Sequence, residues 1–170
     1  MSFPPGDSQS APAVPARLLL AVDVGLRYGL AVYGGDGRLC WYRSCRLPNR
    51  GLLKRASWSL LRELDGLEYL VLEGGGPLAD IWARHGERLG ARVLPLAAHT
   101  WRQVLLFRRE QRTGGQAKAV AGRLAREVIA WSGAARPTSL RHDAAEAILA
   151  GLWGVLRVGW LESSPAIRHG

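Results

Sequence analysis

The chain has 170 residues, 48% hydrophobic and 22% charged, which suits one domain with a proper core and does not comfortably fit two. Lys and Arg number 23 against 14 Asp and Glu, a formal charge of +9, and a surplus of that sign points to nucleic acid first and an acidic membrane second. Lys54 and Lys118 are the only lysines, so arginine carries the surplus, as codon bias in a GC-rich genome would also produce. The apolar run from Leu18 to Val22 is too short for a membrane span or a signal segment, which makes the cytoplasm the expected location. Cys40 and Cys45 are separated by an odd offset within one extended segment, so they face opposite ways, and no CxxC or Cys/His cluster suggests zinc.

In chain order, residues 1–15 are rich in Pro, Ser, Gly and Ala and read as a disordered arm. The domain is expected over residues 16–160, with a flexible tail over 161–170. Residues 17–24 form a nearly continuous apolar run, the mark of a strand buried on both faces. Residues 28–34 read as a second strand, Gly34-Gly35-Asp36-Gly37 as a hairpin turn, and 38–47 as a third strand. In that third strand Leu39, Trp41 and Arg43 are expected to alternate against Cys40 and Tyr42. The three strands make an antiparallel meander.

Apolar residues at helical spacing (Leu53, Ala56, Leu60, Leu61, Leu64) predict an amphipathic helix over 52–64. A central strand is expected over 68–73, a helix over 78–89 ending at Gly90, and a fifth strand over 92–96. Thr100 is expected to cap a short helix through Leu106. A basic loop over 108–115 precedes an alanine-rich helix over 116–131, and a last helix runs from 139 to 156, starting near Arg141. A meander feeding parallel crossover strands is an α/β fold, a five-stranded mixed sheet flanked by helices.

Two strands finish an apolar run with an acid. Asp23 ends Ala-Val-Asp-Val-Gly, with Gly25 and Gly29 keeping side chains out of the space beside it, and Glu73 ends Leu-Val-Leu-Glu with three glycines behind it. A carboxylate in such a strand is costly unless paired or bound to metal. In His142-Asp143-Ala144-Ala145-Glu146-Ala147 the two acids are three apart on one helix face, and the alanines permit a close approach to the sheet. Acids gathered in this way need a compensating cation, and hard oxygen donors favour magnesium or manganese. With a phosphate substrate such a site can hold two ions. Singly, Asp23 could cap a turn, Glu73 could be a surface acid and Asp143 could favour the helix dipole.

The segment AVDVGLRYGLAV over residues 21–32, the strand-end Glu73 and HDAAEA over 142–147 resemble the RuvC family of Holliday-junction resolvases, of the RNase H-like superfamily. The resemblance runs from about residue 17 to residue 158 in order and spacing. It implies that Asp23, Glu73, Asp143 and Glu146 coordinate divalent metal, with Glu146 standing where the family usually has Asp. It implies a homodimer that nicks four-way junctions in branched DNA as a metal-dependent endonuclease. The family's aromatic wedge after the strand-end Glu is replaced here by Gly-Gly-Gly-Pro-Leu, so any wedge must come from elsewhere, such as Trp82. Ile81, Leu89 and Trp82 are candidates for the dimer surface.

Arg102, Arg108, Arg109, Arg112 and Lys118 flank the loop before the long helix and can track phosphates, and the resemblance makes Lys118 a candidate for stabilising the scissile phosphate. The alternative is a solvated basic face. His142, adjacent to Asp143, could assist proton transfer or ligation, though a helix-start histidine is more often structural; His85 and His99 have no evident partner, and Trp41, Trp58, Trp131 and Trp153 fit core positions. Three rivals stand beside the resolvase: an RNA-processing nuclease of the YqgF-like branch, a sugar-kinase or actin-like ATPase that length opposes, and a non-catalytic nucleic-acid-binding module of the same fold.

Overall fold

A computed structural model describes residues 16–165. The arm expected over residues 1–15 and the last part of the tail, 166–170, lie outside the described residues. Five strands, β1 (Leu18–Asp23), β2 (Arg27–Gly34), β3 (Leu39–Arg46), β4 (Leu67–Glu73) and β5 (Arg92–Leu96), form one sheet in the order β3-β2-β1-β4-β5. β1–β2 and β2–β3 are antiparallel, while β1–β4 and β4–β5 are parallel. The meander and crossovers expected from the pattern are present.

The helices are α1 (Arg50–Glu63), α2 (Gly76–Arg88), α3 (Ala98–Leu105), α4 (Gly114–Ser132) and α5 (His142–Arg157), with a 3-10 turn at Arg108–Gln111 inside the expected basic loop. α1 and α4 start two residues earlier than hydrophobic periodicity places them. The reason is capping: Asn49 Oδ1 accepts the Leu52 N–H at 3.0 Å, and Thr113 Oγ1 accepts the Gln116 N–H at 3.1 Å. Thr100 is not a cap. α3 begins at Ala98, and the Thr100 N–H bonds the Ala97 carbonyl at 2.9 Å, inside the first turn.

The period-two alternation of the central strands sorts their side chains into two cores. Leu20, Val22, Leu30, Val32, Leu70 and Leu72 pack under α1 and α2. Leu19, Ala21, Ala31, Tyr33 and Val71 pack under α3, α4 and α5. By the same parity Asp23, Gly29 and Glu73 belong to the face that α5 covers. Trp82 and Trp101 are the tryptophans in the two cores with no exposure, whereas Trp41, Trp58, Trp131 and Trp153, expected inside, are only partly buried. Trp82 therefore supplies neither a wedge nor a dimer surface.

β3 departs from the expected alternation. A register shift falls between Val32 and Tyr33, so Tyr33 pairs with Leu39 but Val32 pairs with Trp41. This bulge reverses the facing of the rest of the strand. Leu39 and Tyr42 consequently join the α5 face, while Trp41 packs on the other. At the far end of the chain Leu161 packs against the α5 core and its N–H bonds the Val155 carbonyl at 3.2 Å.

α5 is buried along almost its whole length and sits close to the sheet. The Tyr33 hydroxyl donates to the Ile148 carbonyl at 2.6 Å, and Gly151 and Gly154 leave room for Tyr33 and for Leu19 with Val71. At its start the approach is closest. A Cβ on Gly29 would stand 1.9 Å from the Asp143 carbonyl oxygen, a backbone atom that cannot turn aside. Gly29→Ala is accordingly expected to cost about 3 kcal/mol and to lower Tm by roughly 6–12 °C in calorimetry. Gly114→Ala, at a position open to solvent, should leave Tm within about a degree and serves as the control.

Candidate metal centre

The sheet register builds the site. In one row across the sheet Ser44 of β3 pairs with Gly29 of β2, Gly29 with Asp23 of β1, Asp23 with Glu73 of β4, and Glu73 with Leu96 of β5. α5 lays its first turn over this row. Ligand oxygens of Asp23, Glu73 and Glu146 lie within 4.8 Å of one another, with Glu73 and Glu146 buried and Asp23 half-buried. Asp143 sits beside them over the gap left by Gly29. Its Oδ1 accepts from the Ser44 hydroxyl at 2.7 Å and from the Ala144 N–H at 2.8 Å, while its Oδ2 is buried and has no hydrogen-bond partner.

Glu146 Oε1 accepts from Arg102 Nη2 at 2.9 Å and lies 3.1 Å from His142 Nε2. Arg102, expected among the phosphate-tracking residues, is thus placed against the acids, on α3. Arg108, Arg109 and Arg112 are exposed on and beside the 3-10 turn, and the Arg109 guanidinium stacks 5.0 Å from the Phe107 ring centroid. Lys118, on the second turn of α4, joins Asp23, Arg27, Arg141, His142 and Asp143 around an open groove of about 500 Å³.

Ser44, Arg27 and Arg141 are not among the site residues expected from the sequence, which sets His142 beside Asp143 rather than Glu146. The i, i+4 spacing of His142 and Glu146 was the available signal for that pair. Ser44 carried no local signal, because the bulge in β3 decides which way it faces. His85 does have partners: Ser57 Oγ lies 3.1 Å from its Nδ1, and Trp58 meets it edge-on at 5.2 Å.

Burial, then the charges of Glu146 and Asp143, push the Asp23 carboxyl up to about 7, with Arg102 opposing. Burial, then hydrogen bonding to Glu146 and the charges of Glu146 and Asp23, drive the Glu73 carboxyl far above the usual carboxylate range, with the Trp101 indole opposing. The chemistry of the donor set fits a small divalent cation: clustered carboxylate oxygens, mutually repelling, two of which (Glu73 Oε2 and Asp143 Oδ2) are buried without any partner.

These shifts set the sign of a pH dependence. In the metal-free protein Asp23 and Glu73 keep protons that the unfolded chain releases near pH 4, so stability is fully present below that value and declines as pH rises through about 7 and beyond. Melting curves taken in chelator from about pH 5 to about pH 9 should show a falling Tm, and Asp23→Asn should flatten the descent near neutrality. Added manganese should raise Tm most at the alkaline end, where the acids are free to ligate. A Tm that climbs with pH in chelator would contradict this electrostatic picture.

No protein-family model matches the sequence, and no curated protein is significantly similar to it. Among solved structures the chain is similar to Thermus thermophilus RuvC, at 17% identity and a TM-score of 0.56, covering 84% of this chain and 96% of that one. It is similar to the structure of T. thermophilus RuvC in complex with Holliday junction substrate, at 15% identity and a TM-score of 0.54, covering 85% and 97%. It is also similar to the yeast mitochondrial Holliday junction resolvase Ydc2, at 12% identity and a TM-score of 0.52, covering 88% and 84%. The chain therefore has the RNase H-like fold in the form that the RuvC-type resolvases share.

Proposed function

We propose that this protein is a magnesium- or manganese-dependent endonuclease that resolves four-way junctions in branched DNA by paired nicks. The observation that carries the reading is the gathering of Asp23, Glu73 and Glu146 oxygens within 4.8 Å, with Asp143 beside them, at the edge of a groove ringed by Lys118, Arg27 and Arg141. The fold supports it, since T. thermophilus RuvC adopts the same fold and has been seen in complex with a Holliday junction substrate.

Asp23, Glu73, Asp143 and Glu146 are the residues that would hold the metal, two ions in this reading. Bound there, divalent metal would supply an activated water and neutralise charge on the leaving oxygen. The chain's own groups do the rest. Lys118, Arg27 and Arg141 attract and orient the phosphate in the groove. Ser44 fixes the Asp143 carboxylate so that its unpaired Oδ2 stays available, a supporting contact of the kind that tunes ligands. Arg102 holds Glu146 in place and balances its charge, and His142 Nε2 stands 3.1 Å from the same carboxylate oxygen. Arg108, Arg109 and Arg112 extend the basic surface along the strand.

Paired nicks need two sites related by a two-fold axis, so the reading includes a homodimer with one site per subunit. Its surface excludes Trp82, which is fully buried, but Leu89 at 39% exposure remains available. The described residues include no helix long and apolar enough to cross a membrane. Cys40 and Cys45 are both free, as suits the reducing cytoplasm that we assign to the protein.

Labelled four-way junction, flap, duplex and RNA–DNA hybrid substrates, incubated with magnesium or manganese, test the proposal. Symmetric nicks in the junction are expected. Asp23→Asn and Glu73→Gln should each reduce cleavage at least about a hundredfold while leaving junction binding in place. Ser44→Ala should weaken metal affinity or turnover by about 10–100-fold. Cleavage confined to RNA-containing substrates would transfer the site to RNA processing, and tight binding with no cleavage under any metal would make the protein a binding module.

A further inference from the structure

A second feature lies on the opposite face of the sheet from the acids. α1 and α2 enclose an open pocket of about 460 Å³ lined by Arg50, Lys54, Ile81, Arg84, His85 and Arg88. Four of those side chains are cationic, and among the described residues none of the four is ion-paired to a carboxylate. Their contacts are to neutral groups. The Arg88 guanidinium stacks 5.0 Å from the Trp58 ring centroid, and Arg84 Nε donates to the Asp80 carbonyl at 3.3 Å. Like charges held together without counter-charge favour an anionic occupant.

Two further observations agree. Asn49 takes the Leu52 N–H with its side chain and the Leu53 N–H with its carbonyl, which leaves the amides of Arg50 and Gly51 without an intrahelical acceptor at the positive end of a 14-residue helix. The buried His85, behind the pocket, has its pKa lowered by burial and then by the charges of Lys54, Arg88 and Arg84, a reporter of the positive potential there. Cations also occur along the chain between the acid groove and the pocket. Arg27 lines the groove, pairs across β2–β3 with Arg46, and Arg50 follows four residues later at the start of α1. All three are exposed, on the edge strand β3, its neighbour β2 and the start of the helix that follows.

We propose that the α1–α2 pocket is a second DNA-contact site, which takes a backbone phosphate of the junction arm that leaves the acid groove over the Arg27–Arg46 rim. The inference rests on the reading of the protein as a branched-DNA nuclease, and it adds a contact on the face remote from the chemistry. It accounts for a concentration of unpaired cations that metal-dependent cleavage at the acids does not require.

Fluorescence anisotropy of a labelled four-way junction, titrated in chelator at several salt concentrations, separates binding from cleavage. The double variant Lys54→Gln/Arg84→Gln should weaken binding about tenfold at moderate salt and make the slope of log K against log[salt] shallower by about two. Arg92→Gln/Arg157→Gln removes two exposed cations at the opposite end of the strands and should leave the slope close to wild type. Circular dichroism melts of each variant establish that it is folded. If Lys54→Gln/Arg84→Gln binds the junction with the wild-type slope, the inference is overturned, even where calorimetry finds inorganic phosphate in the pocket. If the wild-type protein itself binds no junction, it is the nuclease reading that fails.

Discussion

The first turn of α5 rests directly on β2 at Gly29, and the whole site depends on that contact. The Asp143 carbonyl occupies the space where any other residue would carry a Cβ. With that space open, α5 can lower Asp143 and Glu146 onto a row of the sheet that already holds Asp23 and Glu73. The helix is then held by burial along its length and by the Tyr33 hydroxyl on the Ile148 carbonyl. A rise of even one methyl group at Gly29 would lift the acids of the helix from those of the strands. Packing and the gathering of the acids therefore share one constraint.

Bringing the acids together works against folding in the absence of metal. Asp23 is driven to about 7 by burial and by its neighbours, and Glu73 is driven higher still. The surrounding structure absorbs this cost through fixed partners: Arg102 and His142 at Glu146, and Ser44 with the Ala144 amide at Asp143. Two carboxylate oxygens remain buried without partners, which is the arrangement expected where a ligand completes the coordination. Buried acids with raised pKa and unpaired oxygens gathered at one place are the pattern that functional sites show.

The parts of the site that the chain announces are those whose signal is local. An acid that ends an apolar strand is conspicuous because burial penalises it, and this holds for both Asp23 and Glu73. Asp143 and Glu146 are conspicuous through helical spacing. The supporting groups are not. Arg102 looks like any member of a basic cluster, yet the tertiary structure turns it to Glu146 while Arg108 and Arg109 remain in solvent. Likewise Trp82 reads as a surface aromatic after a glycine run, but the packing of α2 on the sheet carries it fully into the core.

Composition, the period-two strands and the helical spacing by themselves determined a basic chain with a mixed sheet, its strand boundaries, and acids at the ends of its first and fourth strands. These follow from short-range physics: side-chain alternation, turn residues and the cost of burying charge. Tertiary structure alone decided which groups support the acids. The bulge in β3 is the clearest case. A plain hairpin continued from the Gly34–Gly37 turn would set Arg43 opposite Gly29, a cation on the acid row. One extra residue in β3 shifts the register and sets Ser44 there instead, where its hydroxyl meets Asp143. Nothing in the local pattern fixes a single-residue shift, because it is chosen by how both faces of the finished sheet pack.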